Sequence, residues 1–124
     1  MILLVLSSVS CQKLFDHAYI IKIQNNSKDT IQFYASYNYP DTSMDVTKPL
    51  LKMVYPSKYS SLESKKQWDN VLVAPSDTIS IFILSKDTLD KYDWAKIRND
   101  YNILKRYDLS LEELKRQSWI VTYP

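Results

Sequence analysis

One segment of the chain has the pattern of a β-strand with apolar side chains on both of its faces. Within residues 78–84, one face carries Ile79, Ile81 and Ile83, and the other carries Phe82 and Leu84. Successive side chains of a strand point to opposite faces, so apolar residues on both faces indicate burial on both sides. The segment is therefore predicted to be a central strand of a sheet.

Further strand patterns occur at residues 19–23, 31–37, 51–55, 68–73 and 119–123. The first two alternate apolar and polar residues, flank the turn cluster Asn25–Asp29, and are typical of a β-hairpin. The polar stretch 57–67 is predicted to hold a short helical turn around Leu62 and Glu63.

Towards the C-terminus the apolar spacing changes to three and four, at Trp94, Ile97, Tyr101 and Leu104. This spacing places the side chains on one stripe of a helix, which is predicted to end at Tyr107–Leu109. Ser110 and Glu113 then form the S-x-x-E pattern of a capping box, which predicts a second, short helix through about Gln117.

These patterns together predict a mainly β protein. The expected architecture is a small β-sandwich, Ig-like, of six or seven strands with a C-terminal helical excursion. The alternative is a two-layer α+β arrangement in which the helices cover one sheet face. The 124 residues are 45% hydrophobic and 24% charged, which is typical of one globular domain, predicted at residues 18–124.

The only cysteine, Cys11, follows the apolar run Ile2–Leu6 and the mostly small residues Ser7–Ser10. This order resembles the lipobox of a bacterial lipoprotein signal peptide. The resemblance implies that residues 1–10 are a signal peptide, that Cys11 is lipidated, and that residues 11–17 tether the domain to a membrane. A transmembrane span would need about 20 apolar residues, and this run is far shorter. A buried, unmodified cysteine is the alternative.

Several function classes lack the residues that they need. The chain has no glycine, which the P-loop and the dinucleotide-binding loop require for close approach to phosphate. Its net charge of +2, with acids interleaved among the bases, argues against nucleic acid. The one histidine, His17, lies in the tether, so a nucleophilic triad or a zinc site has little to build on. We therefore expect neither an enzyme nor a cofactor or metal.

The segment Asp41–Asp45 places acids at the first and fifth positions of a would-be calcium loop. It lacks the central glycine and the distal glutamate of such a loop. It is therefore predicted to be an ordinary loop whose Asp and Thr side chains bond to the backbone.

The chain has ten tyrosines, and several lie near predicted loops. A tyrosine offers a flat apolar face with a polar tip, which suits stacking on a sugar ring or a protein hot spot. Tyr37, Tyr39 and Tyr59 are the predicted ligand-binding residues. In the alternative, Tyr37 is a core residue and the others cover the strand ends.

An Asp-Thr-apolar triplet occurs three times, centred on Thr30, Thr78 and Thr88. Each triplet opens a predicted element, where an aspartate caps a turn and a threonine begins a strand or helix. The triplet also resembles the O-glycosylation acceptor motif of exported proteins in Bacteroides-type bacteria. That resemblance implies glycosylation at these threonines.

Taken together, the chain resembles the small uncharacterised lipoproteins of Bacteroidetes. The resemblance rests on Cys11, the Tyr39–Ser43 loop, the strand at 77–83 and the C-terminal segments 107–114 and 119–124. It implies a cell-envelope protein that is anchored to a membrane, and the outer membrane is expected. Both the periplasmic face and the outer surface of that membrane are compatible with the sequence. The expected function is a non-catalytic binding or adhesion module for a glycan or a protein. The alternative is a structural or accessory subunit of an envelope complex.

Overall fold

The computed structural model describes residues 19–73 and 76–124. The strands are β1 (Tyr19–Asn25), β2 (Ile31–Ser36), β3 (Lys52–Val54), β4 (Tyr59–Ser64), β5 (Thr78–Ser85), β6 (Lys105–Ser110) and β7 (Ile120–Tyr123). The helices are α1 (Trp68–Val71), α2 (Lys86–Lys91), α3 (Trp94–Asp100) and α4 (Leu111–Arg116). Cys11, His17, the signal peptide and the tether lie outside the described residues.

The strands form two sheets. A three-stranded sheet has the order β4-β1-β7, and a four-stranded sheet has the order β3-β2-β5-β6. The pair β1–β7 is parallel, with Lys22 opposite Ile120, and the other pairs are antiparallel. The chain is thus mainly β, with a sandwich-like arrangement of seven strands, which confirms the predicted fold class.

Strand β5 is buried on both faces, as predicted. Its isoleucines face the layer between the sheets, where they join apolar residues of β1, β2, β7 and α4. Its other face packs Phe82 and Leu84 against Tyr34, Met44 and Ile97, so helix α3 and the 41–45 loop cover the four-stranded sheet from outside. A strand with two apolar faces is stable only when both are covered in this way.

The predicted hairpin of β1 and β2 is wrong, because the two strands belong to different sheets. Asn25, fully buried at the end of β1, makes the corner between them. Its side-chain Nδ2 donates to the carbonyls of Asp29 and Val54, at 2.8 and 3.0 Å. These bonds turn the chain from one layer into the other, so each strand finds its partners elsewhere in the sequence.

Two segments between residues 57 and 73 differ from prediction. The polar stretch 57–67 contains β4 rather than a helical turn, and Leu62 lies opposite Ile21 of β1. Residues 68–73, predicted as a strand, begin with helix α1. Polar residues in β4 reflect an edge position, since an edge strand buries less of its surface than a central one.

The helix predicted over Trp94–Leu104 ends early, at Asp100. Tyr101 adopts a left-handed backbone with φ 51°, and its N–H bonds to the carbonyls of Arg98 and Ile97. The chain then reverses into β6, which pairs with β5 so that Arg106 lies opposite Phe82. The capping box at Ser110 and Glu113 is confirmed, with both reciprocal bonds present.

Candidate functional site

An aromatic groove of about 400 Å³ opens beside the first residues of β1. We use "aromatic groove" for the surface lined by Tyr19, Ile20, Gln67, Trp68, Asp69 and Trp119. Three aromatic side chains thus meet an amide and a carboxylate in one concavity. Aromatic surface with a few placed polar groups is the usual make-up of a small-ligand site.

Trp68 forms the base of the aromatic groove. It is the first residue of α1, and its side chain is 3% exposed and belongs to the core between the sheets. Its indole Nε1 is buried without a hydrogen-bond partner among the described residues. A buried unpaired donor costs roughly 1–3 kcal/mol, so the position of Trp68 is stabilised by the packing of its ring and not by this N–H.

Trp119 is held in the aromatic groove by an unusual backbone. Its φ of 62° lies in the left-handed region, which a bulky side chain seldom adopts. Two hydrogen bonds fix it: its N–H donates to the Leu114 carbonyl at 2.8 Å, and its carbonyl accepts from Lys22 N–H at 2.8 Å. Strained residues of this kind occur often at ligand sites, where the surrounding structure determines their geometry.

The polar rim of the aromatic groove consists of Gln67, just before α1, and Asp69, in the first turn of α1. Gln67 precedes the helix, and its side chain makes no capping bond there. Asp69 forms an ion pair with Lys115 of α4, at 3.2 Å, and both side chains are about half exposed. The groove therefore offers an amide and a carboxylate beside aromatic faces, and the carboxylate is paired with the ammonium group of Lys115. This set suits a ligand with hydroxyl groups and an apolar face.

The predicted tyrosines do not form one site. Tyr37 and Tyr39 follow the last residue of β2 at one end of the sandwich, and both are exposed. Tyr59 begins β4 opposite Gln24, next to the corner at which β1 leads into β2, so it lies at the other end. Partial burial raises the pKa of Tyr37. Whether these tyrosines bind a ligand stays a prediction.

Tyr59 lies on the outer face of the three-stranded sheet and not in a loop. The Lys22 ammonium lies 4.2 Å from the centroid of its ring, within cation–π distance. Lys22 pairs with Ser61, so the contact is a diagonal one across β1 and β4. The exposed ring of Tyr59 is thus partly covered by this lysine.

The 41–45 loop is fixed by hydrogen bonds from side chains. Asp41 accepts bonds from the N–H and the hydroxyl of Ser43, at 3.0 and 2.6 Å, which lowers the pKa of Asp41. The Asp45 carbonyl accepts from the Trp94 indole and the Met44 carbonyl from the Arg98 guanidinium. The prediction that aspartate bonds to the local backbone is confirmed at Asp41.

The triplet threonines are all partly exposed and lie where elements begin. Thr78 is the first residue of β5, and its hydroxyl donates to Asp77 at 3.2 Å. Thr30 precedes β2, and its carbonyl accepts from Lys86 N–H, so it lies close to the helix that contains Thr88.

A network of polar side chains lies on the four-stranded sheet, outside the aromatic groove. The buried Ser80 hydroxyl donates to Asp108 at 2.7 Å, and Arg106 donates to both oxygens of the same carboxylate. Arg106 also donates to Tyr101, whose hydroxyl donates to the Thr42 carbonyl. These bonds connect β5, β6 and the 41–45 loop. In the part of the chain that the structure describes, no three His, Cys, Asp or Glu residues are placed to hold a metal ion.

Sequence reasoning did not find the aromatic groove. Its two tryptophans come from segments that were both predicted as strands, and no periodic pattern indicates that residues 68 and 119 meet. The available signal was compositional: the chain has only three tryptophans, and Trp68 lies between the polar residues Gln67 and Asp69.

Comparisons with protein-family models, with curated proteins and with solved structures found no match to the chain. Among residues 19–73 and 76–124, no helix has the length and apolar character that a membrane span requires.

Proposed function

We propose that the chain is a membrane-anchored lipoprotein of the cell envelope and that its domain binds a glycan without catalysis. The anchor is supported by the apolar run Ile2–Leu6 and the mostly small residues that precede Cys11. The binding role is supported by one observation above all, the meeting of Tyr19, Trp68 and Trp119 in the aromatic groove.

A glycan fits the chemistry of the aromatic groove. A sugar ring has an apolar C–H face that stacks on an aromatic side chain, while its hydroxyls seek hydrogen-bond partners at the edge. Gln67 and Asp69 supply such partners at the rim.

The absence of catalysis is part of the proposal. Glycosidic bonds are usually hydrolysed between two carboxyl groups, one on each side of the bond. The aromatic groove contains one carboxylate, that of Asp69, and it is paired with the Lys115 ammonium. A groove of this composition favours binding and release of an unchanged ligand.

The test is a screen of the full chain, purified from membranes in detergent, against immobilised saccharides of the bacterial envelope. We expect a saccharide to be retained by the wild type and its affinity to fall about tenfold in Trp119→Ala, because one stacking face is lost. Trp119→Phe keeps a ring and should retain most of the affinity. Asp69→Ala changes an exposed residue and should weaken binding without affecting folding.

Tyr39→Ala and Tyr59→Ala are the matched controls, since both remove exposed rings that do not line the aromatic groove. Retained affinity in both variants, with loss in Trp119→Ala, supports the proposal. Loss of saccharide affinity in the tyrosine variants alone would place the binding site at the tyrosines and contradict binding in the aromatic groove. Retention of no saccharide by the wild type would contradict the glycan itself.

A further inference from the structure

The most exposed large apolar side chains of the described residues lie on one loop. Leu50 is 92% exposed and Val46 is 75% exposed, and both flank the stretch Thr47–Pro49. We call residues 46–50 the apolar tip. Two branched aliphatic side chains this exposed on one loop make the tip a candidate for contact with a partner or a membrane.

The apolar tip stands on a fixed base, so its exposure is not that of a loose chain. Immediately before it, Met44 is buried, the Asp45 carbonyl accepts from the Trp94 indole at 2.8 Å, and Asp45 N–H donates to Tyr34. After it, Leu51 packs against the cluster beneath α3. Both ends of the tip are therefore tied to the four-stranded sheet and its helix.

The charge within the apolar tip and in the segment that follows it has one sign, although Asp45 directly precedes the tip. From Val46 to Lys58 the sequence contains three lysines and no acid. Lys48 lies within the tip and Lys52 two residues after it, both exposed, and Lys52 donates to the Ser61 carbonyl. Exposed aliphatic side chains beside lysines are the composition of a surface that enters the interface of an anionic bilayer.

The apolar tip lies at the end of the sandwich where the described chain begins. Leu50 and Leu62 line the same hollow, of about 230 Å³, and Leu62 is opposite Ile21, two residues after Tyr19. Cys11 precedes Tyr19 by eight positions. At about 3.3–3.6 Å per residue, a lipidated Cys11 would keep this end within about 30 Å of the bilayer.

We infer that the apolar tip is a second membrane contact, in which Val46 and Leu50 enter the interface of a bilayer that contains anionic phospholipid. Lys48 and Lys52 lie at the level of the lipid phosphates. Tyr37 and Tyr39, at the same end, lie at the headgroup level, which tyrosine favours. The inference rests on the proposed function for the anchor at Cys11. The acyl chains on Cys11 would hold the protein on the membrane, and the contact at the apolar tip would give the domain a fixed orientation there.

The test places an environment-sensitive fluorophore at the apolar tip. Leu50→Cys in the full chain is labelled, reconstituted into vesicles of phosphatidylglycerol and phosphatidylethanolamine, and exposed to brominated lipid, which quenches fluorophores in contact with it. Lys28→Cys, in the exposed turn at the other end of the sandwich, is the matched control. We expect a blue shift and quenching at position 50 and neither at position 28.

A second variant, Val46→Asp in the labelled Leu50→Cys background, should abolish the quenching. Equal quenching at positions 28 and 50 would overturn the inference, since the domain would have no fixed orientation. The inference would also be overturned if the label were not quenched in protein-free vesicles but became shielded from solvent in native membranes. That result would assign the apolar tip to a protein partner. The intact mass of the same sample reports acylation of Cys11 separately, so an unquenched tip on an acylated chain removes this inference and leaves the anchor.

Discussion

Tyr34 and Phe82 stack ring on ring beneath helix α3, with 4.8 Å between centroids and 4° between ring planes. Tyr34 also accepts a hydrogen bond from Asp45 N–H at 3.3 Å, which connects the sheet to the 41–45 loop. Burial is the main cause that raises the pKa of Tyr34 from 10.0 to about 12. This pair therefore connects the residues that pack on the outer face of β5 to the 41–45 loop, which directly precedes the apolar tip.

The raised pKa of Tyr34 predicts a loss of stability in alkali. The neutral phenol is favoured in the folded state, so its contribution is fully present below pH 10.0 and is lost as the pH rises through about 12. We expect the wild type to lose about 2–3 kcal/mol more than Tyr34→Phe across this range. Urea unfolding at a series of pH values measures it. Parallel curves for the two proteins would contradict the role of Tyr34.

A chain without glycine has to place other residues in left-handed geometry. Ser57 and Ser118 adopt φ of 62° and 58°. Ser118→Gly should raise the free energy of unfolding by about 0.5–1 kcal/mol, because glycine adopts this region without steric cost. Ser60→Gly, within the extended strand β4, is the matched control and should lower stability. Destabilisation by Ser118→Gly would show that the serine side chain has another role.

The capping box of α4 predicts an effect of acid. The Ser110 N–H donates to the Glu113 carboxylate at 3.0 Å, and this bond lowers the pKa of Glu113 below its ordinary value of 4.5. A carboxylate of this kind stabilises the fold above pH 4.5 and ceases to do so as the pH falls through its lowered pKa. The stability difference between the wild type and Glu113→Gln should therefore shrink in acid.

Glu112→Gln removes a charge from the same helical turn but not from the cap, so it is the control for this experiment. Ser110→Ala should cost about 1 kcal/mol at neutral pH, because an N-cap is lost. A pH-independent difference between Glu113→Gln and the wild type would contradict a capping role of the carboxylate.

Elements whose sequence pattern is local could be predicted. The alternation of Ile79, Ile81 and Ile83 predicts β5, and the S-x-x-E pattern of Ser110 and Glu113 predicts α4. The errors concern residues whose state depends on distant partners. Tyr101 continues a helical stripe in sequence, yet the pairing of the following residues with β5 ends the helix there. The aromatic groove likewise depends on Trp68 and Trp119 meeting through the fold.

The triplet resemblance predicts O-linked sugar on Thr30, Thr78 and Thr88 of the protein from its native host. All three side chains are partly exposed, so the folded domain presents them to a modifying enzyme. Peptide mass mapping should find hexose-sized increments on the peptides that contain them, and each Thr→Ala variant should lose one increment. Peptides that all match their unmodified masses would remove this prediction and leave the threonines as turn and strand residues.

The anchor at Cys11 is the claim on which the envelope location depends, and the intact mass of the protein from membranes of its native host tests it most directly. We expect a mass that corresponds to cleavage before Cys11 with acyl chains attached. An unmodified mass that begins at Met1 would contradict the lipoprotein assignment and, with it, the proposal of a membrane-anchored glycan-binding domain.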